Sequence, residues 1–281
     1  MRVFASTACL DANRSLWDLL DDYQEVGIDA VELGTARLDT CERLADRLRE
    51  RPLSYALHNY FPPPADPFVL NLASGDAEVG ARSVAFVASS LELASELGAP
   101  FYAVHGGFAA DPVDRGPAGL SFPGEPPAPE AVDEATHRYQ ERLGLLAGRA
   151  SELGVLLLVE NNVCTRENRG KLLHQTTEDL RDLADAVPGI GLLVDTGHLN
   201  VTATTFGFDR ERFVRMLAPC IGCFHVHDND GSVDRHLPVT EGSWIFPLLR
   251  LVDAPLVVEA RFRDAGSLAL HIRWLERRLR G

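Results

Sequence analysis

Lysine is almost missing from this chain: Lys171 is the only one in 281 residues, and Asp plus Glu outnumber Lys plus Arg 41 to 27. With a formal charge of −14, no basic stripe is available for broad contact with a phosphate backbone. That argues against nucleic acid as a general partner, although local arginines or a bound cation still allow a single phosphate to be held. Cysteines are few and odd in number, five at positions 9, 41, 164, 220 and 223, which excludes a disulfide framework and predicts reduced thiols. Cys220 and Cys223 form a lone CxxC at the entry to an apolar run, with no second pair and no redox-type helix start, so they read as core packing. No apolar run is long enough to span a bilayer. The opening MRVFASTACLDANRSLW lacks the apolar core of a signal peptide, and a cytoplasmic protein without a membrane partner is expected.

What is present is an alternation. Apolar, β-rich runs occur at 3–5, 30–33, 53–57, 101–104, 155–159, 191–194, 221–226 and 256–258, and amphipathic stretches separate them, such as 83–97 with Val84, Val87, Leu91, Ala94 and Leu97 on one face. Several helical patterns stop at a glycine just before the next strand, at Gly27, Gly98 and Gly154, as βαβ units require. Eight such units in one chain of this length predict an α/β fold, a single-domain (β/α)8 TIM barrel over 1–281, with an open doubly wound sheet as the structural alternative. Two segments break the rhythm. Residues 111–129 are too rich in Pro and Gly for a helix and follow the fourth strand on the side where barrel active sites lie, so they read as a lid. Residues 161–175 gather Arg166, Arg169 and Lys171 in an otherwise acidic chain. They suit a phosphate or carboxylate, or form a solvated charged loop.

The chemistry-bearing residues fall just after the apolar runs: His58, His105, Glu160, Asp195, His198, His225, Asp234, His236 and Glu259. One histidine at a strand end ordinarily packs or caps a neighbour. Nine donors at successive strand ends converge on the C-terminal mouth of a barrel and predict a polynuclear metal site there. Asp195 and His198 lie three residues apart at a turn out of a strand, and His225 and His227 share a strand face. Glu160 and Glu259 close the runs LLLVE and LVVE, where an unpaired carboxylate is costly to bury and a cation relieves the cost.

The motifs VENN, VDTGH, FHVHD, VDRH followed by EG, and VVEAR resemble the xylose isomerase-like barrel superfamily, which contains endonuclease IV and many sugar isomerases and epimerases. The likeness runs along nearly the whole chain. The endonuclease IV pattern implies three zinc ions held by all nine donors. The sugar epimerase pattern implies one metal held by Glu160, Asp195, His225 and Glu259. For an isomerase or epimerase the resemblance implies proton transfer by Glu160 and Glu259 on opposite sides of a reacting carbon, with His198 and Arg261 orienting hydroxyls. For a phosphoester hydrolase it implies a di- or trinuclear centre, bridged at Glu160, that generates hydroxide.

The segment HNYFPPPADPFVLNLAS departs from the repair-enzyme pattern in its proline run. Its Tyr60 and Phe61 suit a cover over a small substrate as well as insertion into DNA. A small sugar-like substrate is therefore preferred. Glu32 resembles an acidic position that contacts substrate in some relatives, with a structural hydrogen bond as the alternative. His227 is expected beside His225 or a substrate oxygen, and His137, His174 and His271 receive no role. Trp17, Trp244 and Trp274 read most simply as core or helix-packing residues, with Trp244, just after Glu241-Gly242, reaching the site as the alternative. The substrate-binding candidates are thus Glu32, Tyr60, Arg169, Lys171, His227 and Arg261. Zn, Mn, Fe or Co suits the mixed donor set, in one to three ions. A homo-oligomer is left open, and a non-catalytic, metal-stabilised binding module is the third reading.

Overall fold

The computed structural model describes the chain except residues 12, 39, 41, 117, 118, 123 and 281, so Cys41 and three residues of the 111–129 segment lie outside the described residues. Among the described residues ten strands occur: β1 (Val3–Ser6), β2 (Ala30–Leu33), β3 (Ser54–His58), β4 (Phe101–His105), β5 (Asp114–Gly116), β6 (Gly119–Ser121), β7 (Leu156–Glu160), β8 (Ile190–Asp195), β9 (Ile221–Val226) and β10 (Leu256–Val258). All but β5 and β6 close a parallel barrel in the order β1, β10, β9, β8, β7, β4, β3, β2. The register Val3 to Leu256 ties last strand to first. That closure selects the (β/α)8 barrel over the open sheet.

Two apolar cores follow from the two faces of each strand. One fills the barrel interior with Phe4, Ala30, Ala56, Phe101, Ala103, Leu158, Leu193, Cys223 and Val257. The other lies between strands and helices, where Val31, Leu57, Tyr102, Val159, Val194 and Val258 meet Leu20, Val87, Leu143 and Leu268. The interior set locates the site. Two residues beyond an interior residue on each strand, at its C-terminal end, stand Ser6, Glu32, His58, His105, Glu160, Asp195, His225 and Glu259. Period-two alternation aims each of them into the same mouth.

The helix stops read from sequence are left-handed glycines, with φ of 80°, 63° and 69° at Gly27, Gly98 and Gly154, a conformation that costs glycine little. Two local features differ from the sequence reading. The turn after β8 is the first turn of a helix, Thr196–Phe206, because Asp195 caps it through Oδ1 to the His198 amide at 2.7 Å. The 111–129 segment contains the antiparallel hairpin β5–β6. Trp244 packs against the core, in keeping with its simpler sequence reading, and donates to Asp228 Oδ1 at 3.1 Å under the Arg210 guanidinium. Among the described residues no helix is long and apolar enough to cross a membrane.

Candidate metal centre

The structure brings all nine candidate donors together, in three groups. Around Glu160 Oε2, His58 Nε2 lies at 2.8 Å and His105 Nε2 at 3.5 Å. Around His225 Nδ1, Glu259 Oε2, Glu160 Oε1 and Asp195 Oδ2 lie at 3.3, 3.6 and 3.7 Å. Around Asp234 Oδ2, His236 Nε2 lies at 3.0 Å and His198 Nε2 at 3.5 Å. Glu160 thus joins the first two groups through different oxygens. Above them opens a cavity of about 690 Å³, lined by His58, His105, Glu160, His198, His236 and Glu259 together with Ser6, Cys9, Asn59, Tyr60, Arg261, Phe262 and others. Asp195 and His225 lie fully buried beneath it.

Electrostatics bind the groups. Burial works against the charge of Glu160, but the imidazoles of His105, His58 and His225 outweigh it and hold the carboxyl well below its usual range. Glu259 is held low in the same way, mainly by His225 against burial. Burial opposes charge on His225 too, yet the Glu32 and Glu259 carboxylates keep its imidazolium form favoured well above the ordinary value. His236, against the same burial cost, is carried up to about 9 by Asp234 and Glu259. At His105 burial prevails and pushes it down to about 4.

A divalent cation fits these residues. His225 Nδ1 is buried and makes no hydrogen bond, although three carboxylates face it. Its other nitrogen is occupied: Glu32 Oε2 holds Nε2 at 2.8 Å, both side chains fully buried. A carboxylate behind one imidazole nitrogen fixes the ring, so that the other would present its lone pair forward once a cation displaces its proton. Gathering Glu160, Asp195 and Glu259 around that nitrogen is costly without compensating positive charge.

Further side chains hold the donors in place. Asn161 accepts from the Asp195 amide at 2.8 Å and donates back to the Asp195 carbonyl at 3.3 Å. His227 places Nε2 2.8 Å from Asp195 Oδ2 and Nδ1 3.5 Å from Asp234 Oδ1. Its ring stacks on His236 at 4.2 Å, and it occupies the space left by the missing side chain of Gly197.

The expected substrate contacts divide. Tyr60 and Arg261 line the cavity, Tyr60 with its hydroxyl accepting from the Leu70 amide at 2.8 Å. Glu32 and His227 do not line it, because their side chains are directed at His225 and Asp195. Arg169 does not reach it either, stacking instead over Phe206 at 4.8 Å. Lys171, expected to meet an anion, donates to the carbonyls of Phe122 at 2.7 Å and Gly124 at 2.5 Å. A buried ammonium needs acceptors, and the 111–129 segment supplies them locally. No described residue of that segment lines the cavity. Phe61 is fully buried and cannot serve as a wedge into DNA. Sequence reasoning missed Ser6 and Asn59 as lining residues and Asn161 as the clamp on Asp195. The period-two pattern signals Ser6, and the position of Asn161 directly after a strand-ending glutamate was the available clue for the clamp.

The chain belongs to the family described as xylose isomerase-like TIM barrel, whose model matches residues 20–276. No curated protein matches it. Among solved structures it is similar to a D-tagatose 3-epimerase-like protein, with 21% identity, a TM-score of 0.75, and coverage of 100% of this chain and 97% of that one. It is similar to L-ribulose 3-epimerase, with 21% identity, a TM-score of 0.74, and coverage of 99% and 94%. A Thermus thermophilus protein soaked with ZnCl2 shares 26% identity at a TM-score of 0.65, covering 99% of each chain.

Proposed function

We propose that the protein is a metal-dependent isomerase or epimerase of a sugar, sugar phosphate or related polyhydroxylated carbonyl compound. One observation carries the reading: Glu160 ends β7 and Glu259 directly follows β10, three places away in the barrel, yet both line one cavity and both face the same His225 nitrogen, at 3.6 and 3.3 Å. Two carboxylates around one point suit removal of a carbon-bound proton by one and its return by the other. Fold relatives described as 3-epimerases agree with it.

Glu160, Asp195, His225 and Glu259 would hold the principal cation, drawn from Zn, Mn, Fe or Co by the mixed nitrogen and oxygen donors. Bound there, it supplies a Lewis acid that polarises a substrate carbonyl. The chain's own residues do the rest. The imidazoles keep both glutamates ionised in the resting site, so one of them must first take up a proton from solvent: the ionised member then accepts the proton next to the carbonyl, and the protonated member delivers to the opposite face. Solvent at the open mouth resets the pair. His198, fixed by Nδ1 at 2.9 Å from the Asn161 carbonyl oxygen, and Arg261 orient hydroxyl or anionic groups, while Tyr60 and Phe262 cover apolar carbon faces. The test is deuterium uptake from solvent by a panel of ketoses and their phosphates. Exchange next to the carbonyl, abolished in Glu160→Gln and Glu259→Gln, is expected. Absence of exchange across the panel, with cleavage of abasic-site DNA, overturns the reading.

A second reading, phosphoester hydrolysis at a di- or trinuclear centre, is favoured by the two additional donor groups, His58 with His105 on Glu160 and His198 with His236 on Asp234. Metal analysis separates the two. A single equivalent that survives His58→Ala and His105→Ala and is lost in Glu160→Gln removes the support for hydrolysis.

A further inference from the structure

We infer that Asn59 is a substrate-binding residue whose side-chain amide engages a hydroxyl of the substrate, an inference that rests on the isomerase or epimerase reading above. Asn59 follows the donor His58 and lines the cavity. It is only 5% exposed, and its side-chain oxygen is buried with no hydrogen-bond partner. Its amide nitrogen likewise donates to no group among the described residues. The other five buried asparagines behave differently. Asn71, Asn161, Asn162, Asn200 and Asn229 each donate from the side chain to a backbone carbonyl, as buried polar groups ordinarily do.

The backbone of Asn59 is held firmly where its side chain is not. Its amide donates to the Ala103 carbonyl at 2.7 Å, and its carbonyl accepts from the Tyr102 hydroxyl at 2.7 Å. Between these two anchors φ is 38°, in the left-handed region that asparagine tolerates and most other side chains resist. Strand β4 therefore fixes a residue beside a candidate metal donor in an uncommon conformation, with an amide that no group among the described residues uses. An unused amide offers a donor and an acceptor together. A hydroxyl, which both donates and accepts, complements it, whereas a phosphate or carboxylate can only accept. A polyhydroxylated substrate supplies hydroxyls next to the reacting carbon.

The test uses the zinc-loaded full chain and calorimetric binding of five- and six-carbon alditols and ketoses, each compared with its monodeoxy analogues. Asn59→Gly is the informative variant, because glycine accepts a φ of 38° readily. We expect it to keep the melting temperature and metal content of the wild type and to bind the hydroxylated compounds about tenfold more weakly, as loss of one hydrogen bond implies. It should also lose discrimination against one monodeoxy analogue. Wild-type affinity in Asn59→Gly overturns the inference and leaves the isomerase reading standing, and loss of metal from the variant overturns it in favour of support for His58. If the wild type binds none of these compounds, the isomerase reading itself fails and the inference falls with it.

Discussion

Gly197 lies in the first turn of the helix after β8, where alanine ordinarily stabilises. A Cβ built there meets His227 Cε1 at 1.9 Å, Nδ1 at 2.4 Å and Nε2 at 2.8 Å. The closest of these is roughly 1.5 Å short of van der Waals contact. The ring cannot retreat freely, because His236 is stacked on it at 4.2 Å and Asp195 holds Nε2 at 2.8 Å. Gly197→Ala therefore overpacks a filled space and breaks a buried, charge-assisted hydrogen bond. Overpacking costs about 1–3 kcal/mol and the lost bond a similar amount, while helix propensity returns about 1 kcal/mol, leaving a net loss of about 1–5 kcal/mol. For a domain of this size that is a fall in Tm of roughly 2–8 °C. Differential scanning calorimetry of the metal-free protein reads it directly, and metal titration should also show weaker uptake, because Asp195 loses its support. Gly148→Ala is the control: nothing lies within 4 Å of a Cβ at this exposed helical site, and it should gain about 0.5–1 kcal/mol. If Gly197→Ala melts with the wild type and binds metal equally well, the packing argument is wrong.

Other outcomes follow from the same contacts. Glu32→Gln weakens the hold on His225 Nε2 and should lower metal affinity by roughly 10–100-fold in a chelator competition; unchanged affinity would show that Glu32 does not orient the ring. Lys171→Met removes the ammonium from the carbonyls of Phe122 and Gly124 and should speed hydrogen exchange within 111–129, whereas equal exchange would mean that Lys171 does not anchor the segment. His271 packs against Phe262 and Trp274, and burial pushes it down to about 4. Because the unfolded chain protonates near the ordinary value of about 6.5, this contribution is complete above that pH and is lost as pH falls from about 6.5 to 4. Denaturant melts of His271→Phe should lack that component of the pH dependence, and an unaltered profile would refute it.

Much of the fold was legible because a barrel repeats one local pattern. Each strand carries its own alternation, each helix its own stripe and glycine stop, so all eight barrel strands stand where the apolar runs predict them. The donors were legible for the same reason, since the inward face of a strand continues past its last apolar residue into His58, Glu160, Asp195, His225 or Glu259. The hairpin β5–β6 was not, because proline and glycine content reports only that a helix is excluded.

Side-chain partnership was the part that sequence could not decide. Glu32 and His225 are 193 residues apart, and only the closed barrel turns a candidate substrate contact into the carboxylate behind a candidate metal donor. The single lysine gave no sign that its charge would meet loop carbonyls rather than an anion, since that depends on how the 111–129 segment folds back. His227 could be placed on the donor face from its spacing, but its grip on Asp195 through the gap at Gly197 exists only after β8 and β9 are side by side. Local periodicity is written into a few consecutive residues and survives in any conformation of the chain. Pairing between distant polar groups is set by packing, and becomes defined when the barrel closes.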